Sequence, residues 1–180
     1  MMRSRAMIGL LISGMLVASA AYGQSRRDPL TPLEITKLRD QAQDPDLRLK
    51  LYVEFARQRL DAIDKVRSDP KITDRGTAIH DGLQDFLDVY DEMNDNVDTF
   101  DDQKADFRKG LKLIIEADVE FAAKLRALQN SLNPNKDDEK VYEFLLQSAV
   151  ETVDDSVKDH RQLLEQQEEA AKQKKKLKHR

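Results

Sequence analysis

The 180-residue chain contains no cysteine and no tryptophan, and only six glycines and five prolines. Without cysteine there can be no disulfide, no lipid-modified cysteine anchor, no thiolate metal ligand and no cysteine nucleophile, so a packed core must hold the fold. Scarce glycine and proline leave few turns, and Val, Ile and Thr nowhere alternate with polar residues over a strand's length. Catalytic signatures are missing too: there is no Gly-x-Ser-x-Gly, no phosphate-cradling glycine loop and no His-Glu-x-x-His. No Glu stands three residues before His80, His160 or His179, which argues against the Glu-x-x-His ligands of di-metal bundles. The expectation is a protein without enzymatic activity and without a resident cofactor.

Apolar runs are also short. The longest, MIGLLISGMLVA at 7–18, follows Arg3 and Arg5 and precedes a small-x-small pattern at Ala21-Tyr22-Gly23. At 12 residues it falls below the ~20 that a membrane-spanning helix needs. The pattern is that of an export signal cleaved after Gly23. The chain therefore reads as a signal peptide (1–23), a short linker (24–30), a helical bundle domain (31–170) and a basic tail (171–180), the product being periplasmic or secreted.

Charge is divided unevenly. Arg3 and Arg5 lie in the leader and six further basic residues lie in the last ten, which leaves 22 basic against 34 acidic residues between 24 and 170. A body of that sign is a poor nucleic-acid binder, because phosphate contacts need clustered Lys and Arg. The tail, AKQKKKLKHR, has the opposite sign. Lys172, Lys174, Lys175, Lys176, Lys178 and Arg180 are its candidate interaction residues. They suit a solvated helix end, where lysines meet the C-terminal dipole favourably, or else an anionic envelope component, at about 1 kcal/mol per basic residue near a charged surface. A further possibility is the acidic stretch of another copy, which would give head-to-tail association, and an unidentified protein partner is one more.

What is abundant is helical periodicity. Thr31-Pro32-Leu33-Glu34 is a capping box with proline at the first helical position, and Asp44-Pro45 repeats that start. Leu49, Val53, Ala56, Leu60 and Ile63 mark the next helix, and Asp69-Pro70 ends it. From Ile79 to Leu132 the apolar phase is unbroken, so the segment fits either one very long helix or two joined by a turn near Thr99–Lys104. A turn gives four helices of roughly 23–30 residues, matched in length, so the expected fold is all-α: an antiparallel up-down-up-down four-helix bundle with a short N-terminal helix.

One stretch has a surplus of a single sign. Residues 76–103 carry nine carboxylates and no Lys or Arg. Carboxylates three or four apart repel by about 0.2–0.5 kcal/mol per pair, so something should offset them. Antiparallel neighbours would do so, placing Arg59 near Asp85, Arg57 near Asp88, Arg48 and Lys50 near Asp95, Lys112 near Glu92 and Arg108 near Asp95. The competing expectation is weak Ca²⁺ or Mg²⁺ binding through Asp91, Asp95, Asp98, Asp101, Asp102 and Asp106, since hard cations take several oxygen ligands. Asp118 stands in apolar phase within IIEADVEF, and with Val119 as the alternative core contact it is expected at the core boundary. His80 and His160 are expected at the surface or the boundary.

Overall fold

The computed structural model describes residues 28–133 and 135–178; the expected signal peptide, most of the linker and Arg180 lie outside them. Five helices follow one another: α1 (Pro32–Asp40), α2 (Pro45–Ser68), α3 (Arg75–Asp102), α4 (Arg108–Asn130) and α5 (Asp137–Lys178). No strand occurs among the described residues, and no helix there is long and apolar enough to cross a membrane.

The helix starts are those the sequence encodes. Thr31 and Glu34 satisfy each other's backbone N–H groups at the head of α1, at 3.3 and 2.7 Å. Asp44 accepts from Leu47 N at the head of α2, and Asp74 from Thr77 N at the head of α3. Each such cap stabilises by about 1 kcal/mol by pairing an otherwise orphaned donor.

Residues 74–132 form two helices, and the break lies at 103–107. Lys104 adopts φ 56°, in the left-handed region. Its N–H donates to Asp101 O, and Ala105 N–H reaches back to Phe100 O at 3.0 Å. That pair of bonds is a Schellman closure, which glycine usually provides. Here a lysine occupies the left-handed position, so neither Gly nor Pro marks the turn.

The long helices alternate in direction, up-down-up-down. α2 and α3 are antiparallel, with Arg48 beside Asn96 and Tyr52 beside Glu92. α4 and α5 form a second antiparallel hairpin, registered by Arg126–Asp154 and Lys112–Glu168. The two hairpins lie side by side, so that α2 runs parallel to α4 and α3 parallel to α5.

This placement corrects the expected neighbours of α3. It does not adjoin α4 along a side; the two face each other across the core diagonal, where Phe86 and Tyr90 meet the Phe121 ring at 5.5 and 6.4 Å. α4 docks on α2 because Gly110 admits it. Gly110 N donates to Asp46 Oδ1 at 2.7 Å, and a Cβ there would stand 2.9 Å from Leu49 Cδ1. Arg57 then grips both oxygens of Glu120, and Lys124 pairs with Asp61.

The core runs the length of the bundle through Leu49, Phe55, Ile79, Leu83, Phe86, Met93, Leu111, Ile114, Phe121 and Leu146. Burying each such side chain stabilises by about 1.5–3 kcal/mol. α5, at 42 residues, exceeds the expected length and runs past the rest of the bundle.

Candidate functional site

Three features could carry function: the acidic face of α3, the far end of α5, and a polar cluster inside the core.

The acidic residues of α3 separate along the helix. Asp91 and Asp95 border one surface groove with Asp28, Asp88 and Glu92, and burial raises the Glu92 carboxyl. Asp98, Asp101 and Asp102 border another, with Asp159 of α5 opposite. Asp106 lies in the turn itself, where Arg108 holds both of its oxygens at 2.7 Å and its carboxyl below the usual range. Among the described residues no group of three or more His, Cys, Asp or Glu is placed to hold a metal ion. The straight helix is the reason, since it presents successive carboxylates along a line and not around a point.

The expected neutralising pairs do not form. Arg59 is drawn to Glu34 and the Pro29 carbonyl, Arg57 to Glu120, and Arg48 to Asn96 and the Leu38 carbonyl. Lys50 lies along its own helix with Glu54, and Lys112 pairs with Glu168. In each case an acceptor other than the expected carboxylate takes the cation. No Lys or Arg among the described residues pairs with Asp95, Asp98, Asp101 or Asp102.

The α5 end is built differently. The register Asn94–Ser156 sets the last turn of α3 level with about residue 164, and Lys112–Glu168 sets the first turn of α4 level with about residue 172. Gln167 is the last inward-facing tie: its side chain accepts from Phe107 N and donates to Ala105 O, fastening the 103–107 turn. Beyond it Glu168 still pairs with Lys112, and Ala170, Ala171 and Lys174 border a recess shared with Asp101, Asp106 and Arg108; the helix then runs on past the α3–α4 turn. Lys172, Lys174, Lys175, Lys176 and Leu177 are all exposed, Leu177 by 72%. Lys172 pairs with Glu169 one turn back. Lys104 and Lys109 are exposed at the same end of the bundle. The candidate interaction residues among those described are therefore brought together, on a helix end that owes nothing to the core; α5 carries its backbone to Lys178.

The third feature corrects two expectations. Asp118 is fully buried and Val119 is the residue turned outward, at 53% exposure. His160, expected at the surface or boundary, is also buried. Asp118 lies at the centre of the core, accepting from the Tyr90 hydroxyl at 2.7 Å, with His160 Nδ1 2.8 Å from its other oxygen. Burial first, then the Asp118 charge, pushes the Tyr90 hydroxyl far above its ordinary range. His80 is half-exposed, 3.5 Å from Asp81. The signal for the cluster was present in the sequence as two polar residues, Asp118 and His160, in apolar phase; what it lacked was the register that sets them opposite each other.

Comparison of the chain with protein-family models, with characterised proteins and with solved structures finds no match.

Proposed function

We propose that this chain is an exported, non-enzymatic helical bundle that acts as a binding or scaffolding module, docking through the end of α5 onto an anionic surface of the cell envelope. The observation that carries this reading is the extension of α5. A helix that outruns its bundle, with its lysines exposed and one sign of charge, adds no side chain to the core, whereas a polybasic helix end suits anionic headgroups. The acidic body behind it supports an oriented approach, the bundle being repelled from the surface that attracts the tip. The non-catalytic reading has support of its own. The His160–Asp118 pair is sealed in the core, out of reach of a substrate.

Deleting residues 171–180 tests the proposal. The chain from residue 24 should co-sediment with vesicles containing phosphatidylglycerol and not with phosphatidylcholine alone, and the truncated chain should do neither. Full binding by the truncated chain would sink the reading. Divalent-cation binding along 81–106 remains the competing class, and no geometric observation favours it, because its carboxylates line two grooves and do not converge.

A further inference from the structure

At the opposite end of the bundle, where α2 and α4 finish and α3 and α5 begin, there is a cavity of about 230 Å³. Its wall includes Arg67 from α2, Arg75 from the first turn of α3, Ser131 after α4, and Lys136, Glu139 and Tyr142 at the start of α5. The body of this protein is acidic, so three cations meeting in one recess is a local inversion of sign.

Two donors in this wall make no hydrogen bond among the described residues, and one of them, Arg75 Nε, is buried. Arg75 Nε is buried and meets no acceptor among the described residues, its NH2 group being spent on the Asp69 carbonyl at 3.0 Å. Tyr142 is 4% exposed, and its hydroxyl makes no hydrogen bond among the described residues. Burial raises that hydroxyl above its usual range, so it stays a donor at neutral pH. Leaving Arg75 Nε buried and unpaired costs about 1–3 kcal/mol, and an acceptor in the cavity would relieve it, with the Tyr142 hydroxyl as a second donor on the same wall.

The negative groups leave room for such a guest. Glu139 accepts from Asn133 N and from Lys136 Nζ, and Arg67 reaches Ser131 Oγ at 2.8 Å. Arg67 also pairs with Asp64 outside the wall, and Asp138 is the wall's other carboxylate, so three cations stand against two carboxylates and the recess keeps a net positive charge. The recess is also pinned in shape. A Cβ at Gly76 would overlap the Asp138 carbonyl, so glycine is what lets the first turns of α3 and α5 touch and hold Arg75 beside Tyr142.

We infer that this cavity is a binding site for a small oxyanion of the phosphate class, held by Arg75, Tyr142, Arg67 and Lys136. It lies far from the α5 extension and stands whether or not that end docks on membranes.

Inorganic phosphate is the probe. Thermal midpoints are compared in phosphate and in chloride at equal ionic strength, beside calorimetric titration with phosphate. The expected result is a saturable increment specific to phosphate, roughly 3–5 °C at ten times the dissociation constant. Tyr142→Phe and Arg75→Gln should abolish it. Lys136→Gln, at a site 62% exposed and so safe for the fold, should weaken binding several-fold. An acetate increment equal to that of phosphate would support the cavity and assign its guest to carboxylates. Equal midpoints in phosphate and chloride, or a full phosphate increment in all three variants, would overturn the inference.

Discussion

His160 Nδ1 lies 2.8 Å from Asp118 Oδ2 inside the core, joining α5 to α4 where both side chains are shut off from water. Tyr90 reaches the other carboxylate oxygen from α3, so one carboxylate ties three helices together. Buried polar groups stabilise only as a satisfied set, and loss of the central member strands the others. Asp118→Ala should therefore lower unfolding free energy by about 2–4 kcal/mol, and Tyr90→Phe by about 1–2 kcal/mol. Urea unfolding of the two single variants and the double variant measures both. Additive losses would mean that the cluster does not act as a unit.

The Glu34–Arg59 pair fastens α1 and the segment before it to α2, with Arg59 donating to both Glu34 oxygens and to the Pro29 carbonyl. Burial would raise the Glu34 carboxyl, but the bonds from Arg59 and Thr31 outweigh it and hold the carboxyl below its usual range. A carboxyl lowered by folding contributes stability that is complete above its unfolded value, near 4.3, and is lost as pH falls through the lower folded value. Glu34→Gln should cost about 2–3 kcal/mol at pH 7, where Arg59 loses its charged partner. The gap from wild type should narrow as pH drops below about 4. A gap that stays constant from pH 7 to 3 would contradict this assignment.

Lys104 holds a backbone conformation that costs a side-chain-bearing residue about 1 kcal/mol and costs glycine little. Lys104→Gly should raise unfolding free energy by about 0.5–1 kcal/mol, a rise in thermal midpoint of a few degrees. A loss of stability would mean that the lysine side chain contributes something its exposure conceals.

The carboxylates of α3 make a different demand on solvent. Asp95, Asp98 and Asp102 are exposed and lack Lys or Arg partners among the described residues, so their mutual repulsion is relieved by screening. Adding 0.2 M sodium chloride at low starting salt should raise the thermal midpoint. Millimolar Ca²⁺ or Mg²⁺ at matched ionic strength should add nothing more. A further divalent increment that a chelator reverses would revive the cation reading.

Much of this architecture can be read from the residues. The capping box at Thr31–Glu34, the Asp44-Pro45 start and the 3–4 spacing from Leu49 to Leu132 led to the right helices and the right alternation of direction. The α2–α3 register was legible as well, since the short 69–74 connection fixes which residues face each other. The turn at 103–107 was harder, because its left-handed residue is a lysine and no breaker announces it. The side-by-side hairpins were hidden for another reason. Periodicity reports that a face is apolar, not which of several apolar faces it meets, and the close approach of α2 to α4 at Gly110 decided the matter. That choice took Arg57 and Lys112 away from the acidic helix and put Asp118 opposite His160.

The α5 extension should be separable from the fold. Replacing Lys172, Lys174, Lys175 and Lys176 together with Gln removes charge from exposed positions beyond the last core contact, so unfolding free energy should change by less than about 0.5 kcal/mol.

The most direct measurement is the partition of that quadruple variant onto vesicles containing phosphatidylglycerol, beside the unaltered chain from residue 24, over a series of salt concentrations. At about 1 kcal/mol per lysine the variant should bind roughly 10²–10³-fold more weakly, and the unaltered chain should lose affinity steeply as salt rises. Equal partition of the two proteins, insensitive to salt, would contradict docking through α5.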